Sequence, residues 1–177
     1  YTGDFKFDQT AEKNYRTDIA RLVEIGQGKV LALLADAAGT EGDTDSVNES
    51  KISDYILETF RDNKKKRIII AAVASNIQRI QQVIDATVAT KRKLVLSGND
   101  IENVVRTAIR LRKLYLPVPE SKLLVNLKNA KNLAASETVI LETGRMGEPI
   151  KHLNRMANGV DPYVRIGEDD LVFITTT

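Results

Sequence analysis

Residues 67–88 read "RIIIAAVASNIQRIQQVIDATV". The first eight, "RIIIAAVA", form a continuous apolar run rich in β-branched residues, the pattern of a strand buried on both faces. Ser75 and Asn76 interrupt it with small polar side chains suited to a helix start. Ile77, Ile80, Ile84 and Val88 then fall on one stripe, with Val83 beside it, at the spacing of an amphipathic helix. A buried strand running straight into a helix is half of a crossover unit, and crossover units build parallel sheets.

The same alternation recurs on either side. "RKLVLS" at 92–97 precedes a helical stripe of Ile101, Val104, Val105, Ala108 and Leu111. "ETVILET" at 137–143 precedes a glycine turn and a helix with Pro149 in its first turn. Upstream, Ile52, Tyr55, Ile56 and Phe60 mark another helix, and "KVLALLAD" at 29–36 is a fourth strand candidate. The tail offers a strand pair, 162–167 and 170–175, joined by the acidic turn Gly167–Asp170. The expected class is α/β: a mostly parallel, doubly wound sheet flanked by helices, plus this C-terminal strand pair. The small, polar and acidic loop "AAGTEGDTDSV" at 37–47 is the candidate linker or domain junction.

Bulk composition narrows the chemistry. The 177 residues carry a net charge of +2, so any attraction for an anionic partner must come from a local patch. There is no cysteine and a single histidine, His152, which rules out thiolate and histidine-rich metal sites built from this sequence. The absence of cysteine fits a reducing, cytoplasmic setting. The apolar run around Ile68–Ala74 is far too short to span a bilayer.

In an open parallel sheet, ligands bind beyond the carboxyl ends of the strands. The turns there are 35–39, 74–76, 97–100 and 143–149; all are small and polar, and three lead into helices. Helix N-termini present free N–H groups to anions, and glycine allows close backbone approach. Ser75, Asn76, Gly98, Thr143, Gly144 and Arg145 are therefore candidate anion contacts, with Arg79 nearby. Arg145 sits inside a glycine turn, where its guanidinium can meet a phosphate in bidentate fashion. The same residues also read as ordinary caps and turn formers, Ser75, Asn76 and Asp100 among them. His152 reads as a surface or packing residue, and Glu142 shows no acid/base spacing. Neither a P-loop nor a Gly-x-Gly-x-x-Gly fingerprint is present, so a small phosphorylated ligand ranks low.

One ordered series carries more. "TGDFKFDQT", "VLALLADA", "IIIAAVASNIQRIQQVIDA", "RKLVLSGND", "VILETGRMGEPIKHLNRMANG" and "IGEDDLVFITT" follow one another from residue 2 nearly to the end. In this order they resemble the ribonuclease J family of bacterial metallo-β-lactamase-fold nucleases, and most closely the divergent second paralogue of Gram-positive bacteria. The resemblance implies that residues from about 47 onward form the β-CASP domain and that 1–46 are the trailing edge of the first metallo-β-lactamase segment. It implies a fragment of a longer parent with two zinc ions, a metal-dependent ribonuclease of the exonuclease (5′-3′) or endonuclease type, acting on single-stranded RNA in mRNA decay and rRNA maturation. Asp4 falls on the family's metal-bridging Asp, and Asp36 on a carboxylate that supports catalysis from behind the metal ligands. The family's His-x-His-x-Asp-His motif is missing, so the expectation is that this chain alone neither holds zinc tightly nor cuts RNA, and that Asp4 lies in exposed or poorly ordered chain with no metal attached.

Departures from the family pattern bear on activity. The family has Ser-Asp-Ser-Thr-Asn-Ala-Glu where this chain has "ADAAGTE", Gly-Arg-Ser-Met where it has Gly98-Asn99-Asp100-Ile101, and Thr-Gly-Ser-Gln-Gly-Glu where it has Thr143-Gly144-Arg145-Met146-Gly147-Glu148. Loss of an Arg and gain of Asp100 weaken phosphate contact there, and Arg145 offsets it. The alternative is an RNA-binding scaffold subunit with little activity of its own, in a homo- or hetero-oligomer with an active paralogue. With aromatic residues at only 5%, and none in the ligand-side turns, RNA binding is expected to be backbone-dominated and salt-sensitive.

Overall fold

The computed structural model describes residues 1–11, 13–37, 48–98, 100–145 and 147–175, in two compact units, 1–54 and 55–177.

Unit 55–177 is built on five strands: β1 (Arg67–Val73), β2 (Lys93–Ser97), β3 (Leu124–Val125), β4 (Thr138–Gly144) and β5 (Asp170–Ile174). Their order is β3-β2-β4-β1-β5, and every pairing is parallel. Successive strand residues point to opposite faces. Ile68, Ile69 and Ile70 are all fully buried, so both faces of β1 are covered, as its unbroken apolar run requires. One face holds a cluster of Ile69, Ala71, Val95 and Ile140 with Leu153, Met156 and Val164.

The helices are α3 (Ile77–Ala89), α4 (Ile101–Arg110), the short α5 (Glu120–Leu123) and α6 (Glu148–Ala157). α3 starts where Asn76 Oδ1 accepts the N–H of Arg79 at 2.9 Å, a side-chain cap. Glycine turns precede α4 and α6. The outer strand β5 is clamped to β1 by Arg67, whose guanidinium donates to both carboxylate oxygens of Asp170 (2.9 and 2.5 Å) and to the carbonyl of Arg165.

The fold class agrees with the sequence reading, with two corrections. Of the C-terminal strand pair, 170–174 is a strand but 162–167 is not. Its backbone bonds are taken elsewhere: Asp161 Oδ1 accepts from Tyr163 and Val164 N–H, and Ile166 N–H donates to Met156 O at the end of α6. The run 29–36 is not a strand either, and Val30, Leu31, Leu33 and Leu34 are exposed. Its apolar side chains express a tendency to be covered, but the described residues supply no second strand beside it.

Unit 1–54 contains a 3₁₀ turn at Lys13–Tyr15, α1 (Ile19–Gly26) and the start of α2 (Glu49–Asp62). α1 is capped by Asp18, which accepts from Arg21 N–H, and it buries no residue. The unit's hub is Asp8. Its Oδ1 accepts from Thr10 N–H and Oγ1–H at 2.8 and 2.6 Å, and its Oδ2 accepts from Glu49 N–H at 2.7 Å, so a distant carboxylate caps α2. The Thr10 hydroxyl and the Glu49 amide, with Lys6 nearby, hold the Asp8 carboxyl down at about 2.

A depressed carboxylate pKa contributes stability that is complete above the ordinary value and is lost as pH falls toward the folded value. Urea unfolding of the wild type should therefore lose stability between about pH 4 and about pH 2. Asp8→Asn should be less stable at neutral pH and should lack that share of the acid loss. Parallel acid profiles for the two proteins would remove Asp8 from this role.

Candidate functional site

Because β2, β4 and β1 are adjacent and parallel, the turns that leave their carboxyl ends lie side by side. The register pairs Val73 with Gly144 and Ser97 with Glu142. Backbone contacts knit the ends together. Ala74 N–H donates to Gly144 O at 3.0 Å, and Thr143 Oγ1–H donates to Ser97 O at 3.4 Å. Gly98 has φ of +120°, and a Cβ there would lie 1.8 Å from Thr143 O. The β2 turn thus rests directly on the β4 backbone, and only glycine permits it.

Above this floor opens a cleft of about 960 Å³. Ser75, Gly144 and Arg145 line it, joined by Asp100, Glu148 and the aliphatic Ile77 and Val104. The structure therefore brings three of the sequence candidates together. The others build the frame: Asn76 caps α3, Gly98 packs on Thr143, Thr143 is fully buried in the floor, and Arg79 is buried at the start of α3. Asp100, read as a helix cap, sits in the left-handed region at φ 60° and makes no side-chain cap bond.

The Arg145 side chain is exposed, while its backbone N–H donates to Glu148 Oε2 at 2.7 Å. Gly147, at φ +83°, turns the chain into α6, and Pro149 lies in its first turn. The cleft thus carries one guanidinium, a hydroxyl, a helix start and two carboxylates. The arrangement offers an anion a cationic partner beside polar backbone, with acidic neighbours that limit how much negative charge it accepts.

Sequence reasoning missed a second cluster beneath the turn. Glu142, on β4, is fully buried, and its Oε1 lies 2.5 Å from Nδ1 of the partly exposed His152 on α6. Burial pushes the Glu142 carboxyl up, hydrogen bonds from Ser97 and His152 and the charge of His152 pull it down, and Asp161 adds to the rise. The two residues are ten apart across a strand, a turn and a helix, a separation no local spacing rule detects.

In unit 1–54, Asp4 is exposed and Asp36 partly exposed. Among the described residues no three His, Cys, Asp or Glu side chains come together in a way that would hold a metal ion. Zinc therefore does not fit the donors described in this chain, because a catalytic zinc takes three protein ligands. The loop expected to mark a domain junction lies, from residue 38 to 47, outside the described residues, as do Asn99 and Met146.

The family model described as "Ribonuclease J, beta-CASP domain" matches residues 65–177. The chain belongs to the ribonuclease J family. Whole-chain comparison agrees. The sequence is 48% identical to ribonuclease J 2 of Streptococcus pyogenes over its full length, 39% to ribonuclease J2 of Bacillus subtilis over 99% of it, and 33% to ribonuclease J 2 of Staphylococcus epidermidis over its full length. It spans about a third of those relatives, 32%, 31% and 31% of their lengths. The all-parallel sheet and its cleft are thus the β-CASP domain of a ribonuclease J, and among the described residues no helix is long and apolar enough to cross a membrane.

Gly98→Ala combines a steric collision with a strained φ, and should destabilise unit 55–177 by roughly 3 kcal/mol or more in urea unfolding. Gly147→Ala has open space around its Cβ and pays only for its positive φ, so it should cost about 1 kcal/mol. Equal losses for the two would show that the Gly98–Thr143 contact is not what demands glycine.

Proposed function

We propose that this chain is the RNA-binding β-CASP portion of a zinc-dependent ribonuclease that hydrolyses RNA phosphodiesters in mRNA decay and rRNA maturation in the cytoplasm. Residues 1–46 contribute the trailing edge of its metallo-β-lactamase segment. RNA lies along the carboxyl edge of the sheet, over Ser75, Gly144 and Arg145. The observation that carries this reading is the meeting of those three residues in one cleft at the strand ends of a ribonuclease J β-CASP domain. Arg145 supplies the charge-assisted contact to a phosphate, and Ser75 a hydroxyl. The aliphatic Ile77 and Val104 leave bases without an aromatic platform, which favours backbone contact over base readout.

Two zinc ions bound by the rest of the parent would activate the attacking water and stabilise charge on the phosphate oxygens. In the parent, Asp4 would lend a carboxylate to that zinc site and Asp36 would support it, and neither acts without the remaining ligands. By itself the chain binds RNA and does not cut it.

The acidic neighbours Asp100 and Glu148 favour a second reading: a scaffold subunit with weak or no activity, paired with an active paralogue. The two readings part on the full-length protein supplied with zinc. The enzyme hydrolyses single-stranded RNA, and the scaffold binds it without turnover.

On the 177-residue chain, fluorescence anisotropy with a short single-stranded RNA should show affinity that falls steeply between about 50 and about 200 mM salt. Arg145→Ala should weaken it about tenfold, the loss of one charge-assisted contact. Binding that ignores both salt and Arg145 would overturn the assignment of this cleft. RNA hydrolysis by a metal-stripped, host-nuclease-free sample would overturn the claim that the chain alone is inert.

A further inference from the structure

Glu142 is an unusual residue for the centre of a parallel sheet. It lies two residues before Gly144, and its Oε2 is buried with no hydrogen-bond partner among the described residues. Ala71 lies opposite it on β1, offering nothing polar. The groups that face it are His152 from α6, Ser97 from β2 and Asp161 from the loop after α6. Lys151 and Arg155 of α6 are exposed, and Glu148 is engaged with the Arg145 amide. A buried carboxylate with one orphaned oxygen is costly as an anion and becomes a donor on taking up a proton. His152 gives it a proton route, since the imidazole touches Oε1 at one end and is partly exposed to solvent at the other.

We propose that Glu142 and His152 are positioning residues for the 143–148 turn, and that a proton exchanged between this pair and solvent sets the anion affinity of that turn. The proposal rests on reading the turn as a phosphate site. The chemistry is a proton equilibrium alone. A proton from water enters through the imidazole, the Glu142 carboxylate becomes a carboxylic acid, and no other bond forms or breaks. Uptake removes a negative charge from beneath the turn in a medium where water screens little, so a phosphate above it is held more tightly. Linkage is reciprocal: a bound anion must raise the proton affinity of Glu142 by the factor that the proton raises anion affinity.

The sign for stability follows. The folded state holds this proton more firmly than the unfolded chain does. The associated stability is complete below the ordinary glutamate value and is lost as pH rises through the elevated folded value.

The test uses the 177-residue chain with labelled glutamate carboxyl carbons and amides. The Glu142 signal should titrate above the ordinary carboxylate range, and the amides of Thr143, Gly144 and Arg145 should shift with the same midpoint. His152→Gln removes a group that favours the anion, so it should move that shared midpoint upward. Glu142→Gln should abolish the step, leaving the turn amides at their low-pH positions. Saturating inorganic phosphate should raise the Glu142 midpoint. Affinity for the RNA should climb at least about fivefold as pH falls through the wild-type step, while Glu142→Gln should bind tightly on both sides of it.

Turn amides that ignore the Glu142 titration, or a midpoint unmoved by His152→Gln, would overturn the proposal. So would a pH step in affinity that persists in Glu142→Gln, because Asp100 or Glu148 would then be its source. If neither RNA nor phosphate binds at any pH, the phosphate-site reading fails, and the amide titration still decides whether the pair controls the turn.

Discussion

The backbone of β4 bears the register of everything around it. All seven of its residues are buried, and it lies between β2 and β1 with no edge of its own. Its parallel ladders fix Val73 beside Gly144 and Ser97 beside Glu142, which brings the ends of three strands to within two residues of one another. A slip of one residue in either ladder would turn Glu142 and Ile140 to the opposite face and separate the turns. The cleft is therefore a property of strand register before it is a property of its side chains.

That dependence explains what could be read in the sequence. β1, β2 and β4 were legible because strands covered on both faces need continuous apolar runs, and 67–74, 92–97 and 137–143 are such runs. α3 and α4 were legible from stripes of Ile, Val and Leu at helical spacing. β3 was not, because two residues carry no pattern and pair only where β2 offers them an edge. The run 29–36 has the composition of a buried strand and is exposed, since composition records a need for cover without supplying it. Residues 162–167 alternate as a strand would, yet Asp161 and the end of α6 claim their backbone donors.

The candidate site was legible in outline and not in roles. Glycines and small polar residues after strands pointed to the right edge, but which face the cleft and which hold up its floor depends on backbone approach. Gly98 is needed because Thr143 O occupies the space a Cβ would take. Asn76 spends its side chain on α3. The Glu142–His152 contact needs the exact length of the turn between β4 and α6. Membership of the ribonuclease J family was carried by the ordered motifs together, and no single turn would have shown it.

Glu148 adds a consequence for the proposed RNA contact. Its carboxylate already accepts the Arg145 amide, and Gly144 makes room for it, since a Cβ there would lie 2.7 Å from Glu148 Cβ and Oε2. On the proposed reading of this cleft as a phosphate site, an arriving anion would compete with an internal one tethered three residues away, at an effective concentration in the millimolar range or above. Isolated monoanions at lower concentration would lose that contest. A polyanion that also engaged Arg145 could displace the carboxylate, so the proposed site would select by valency where its lining, without an aromatic side chain, gives little means to select by base.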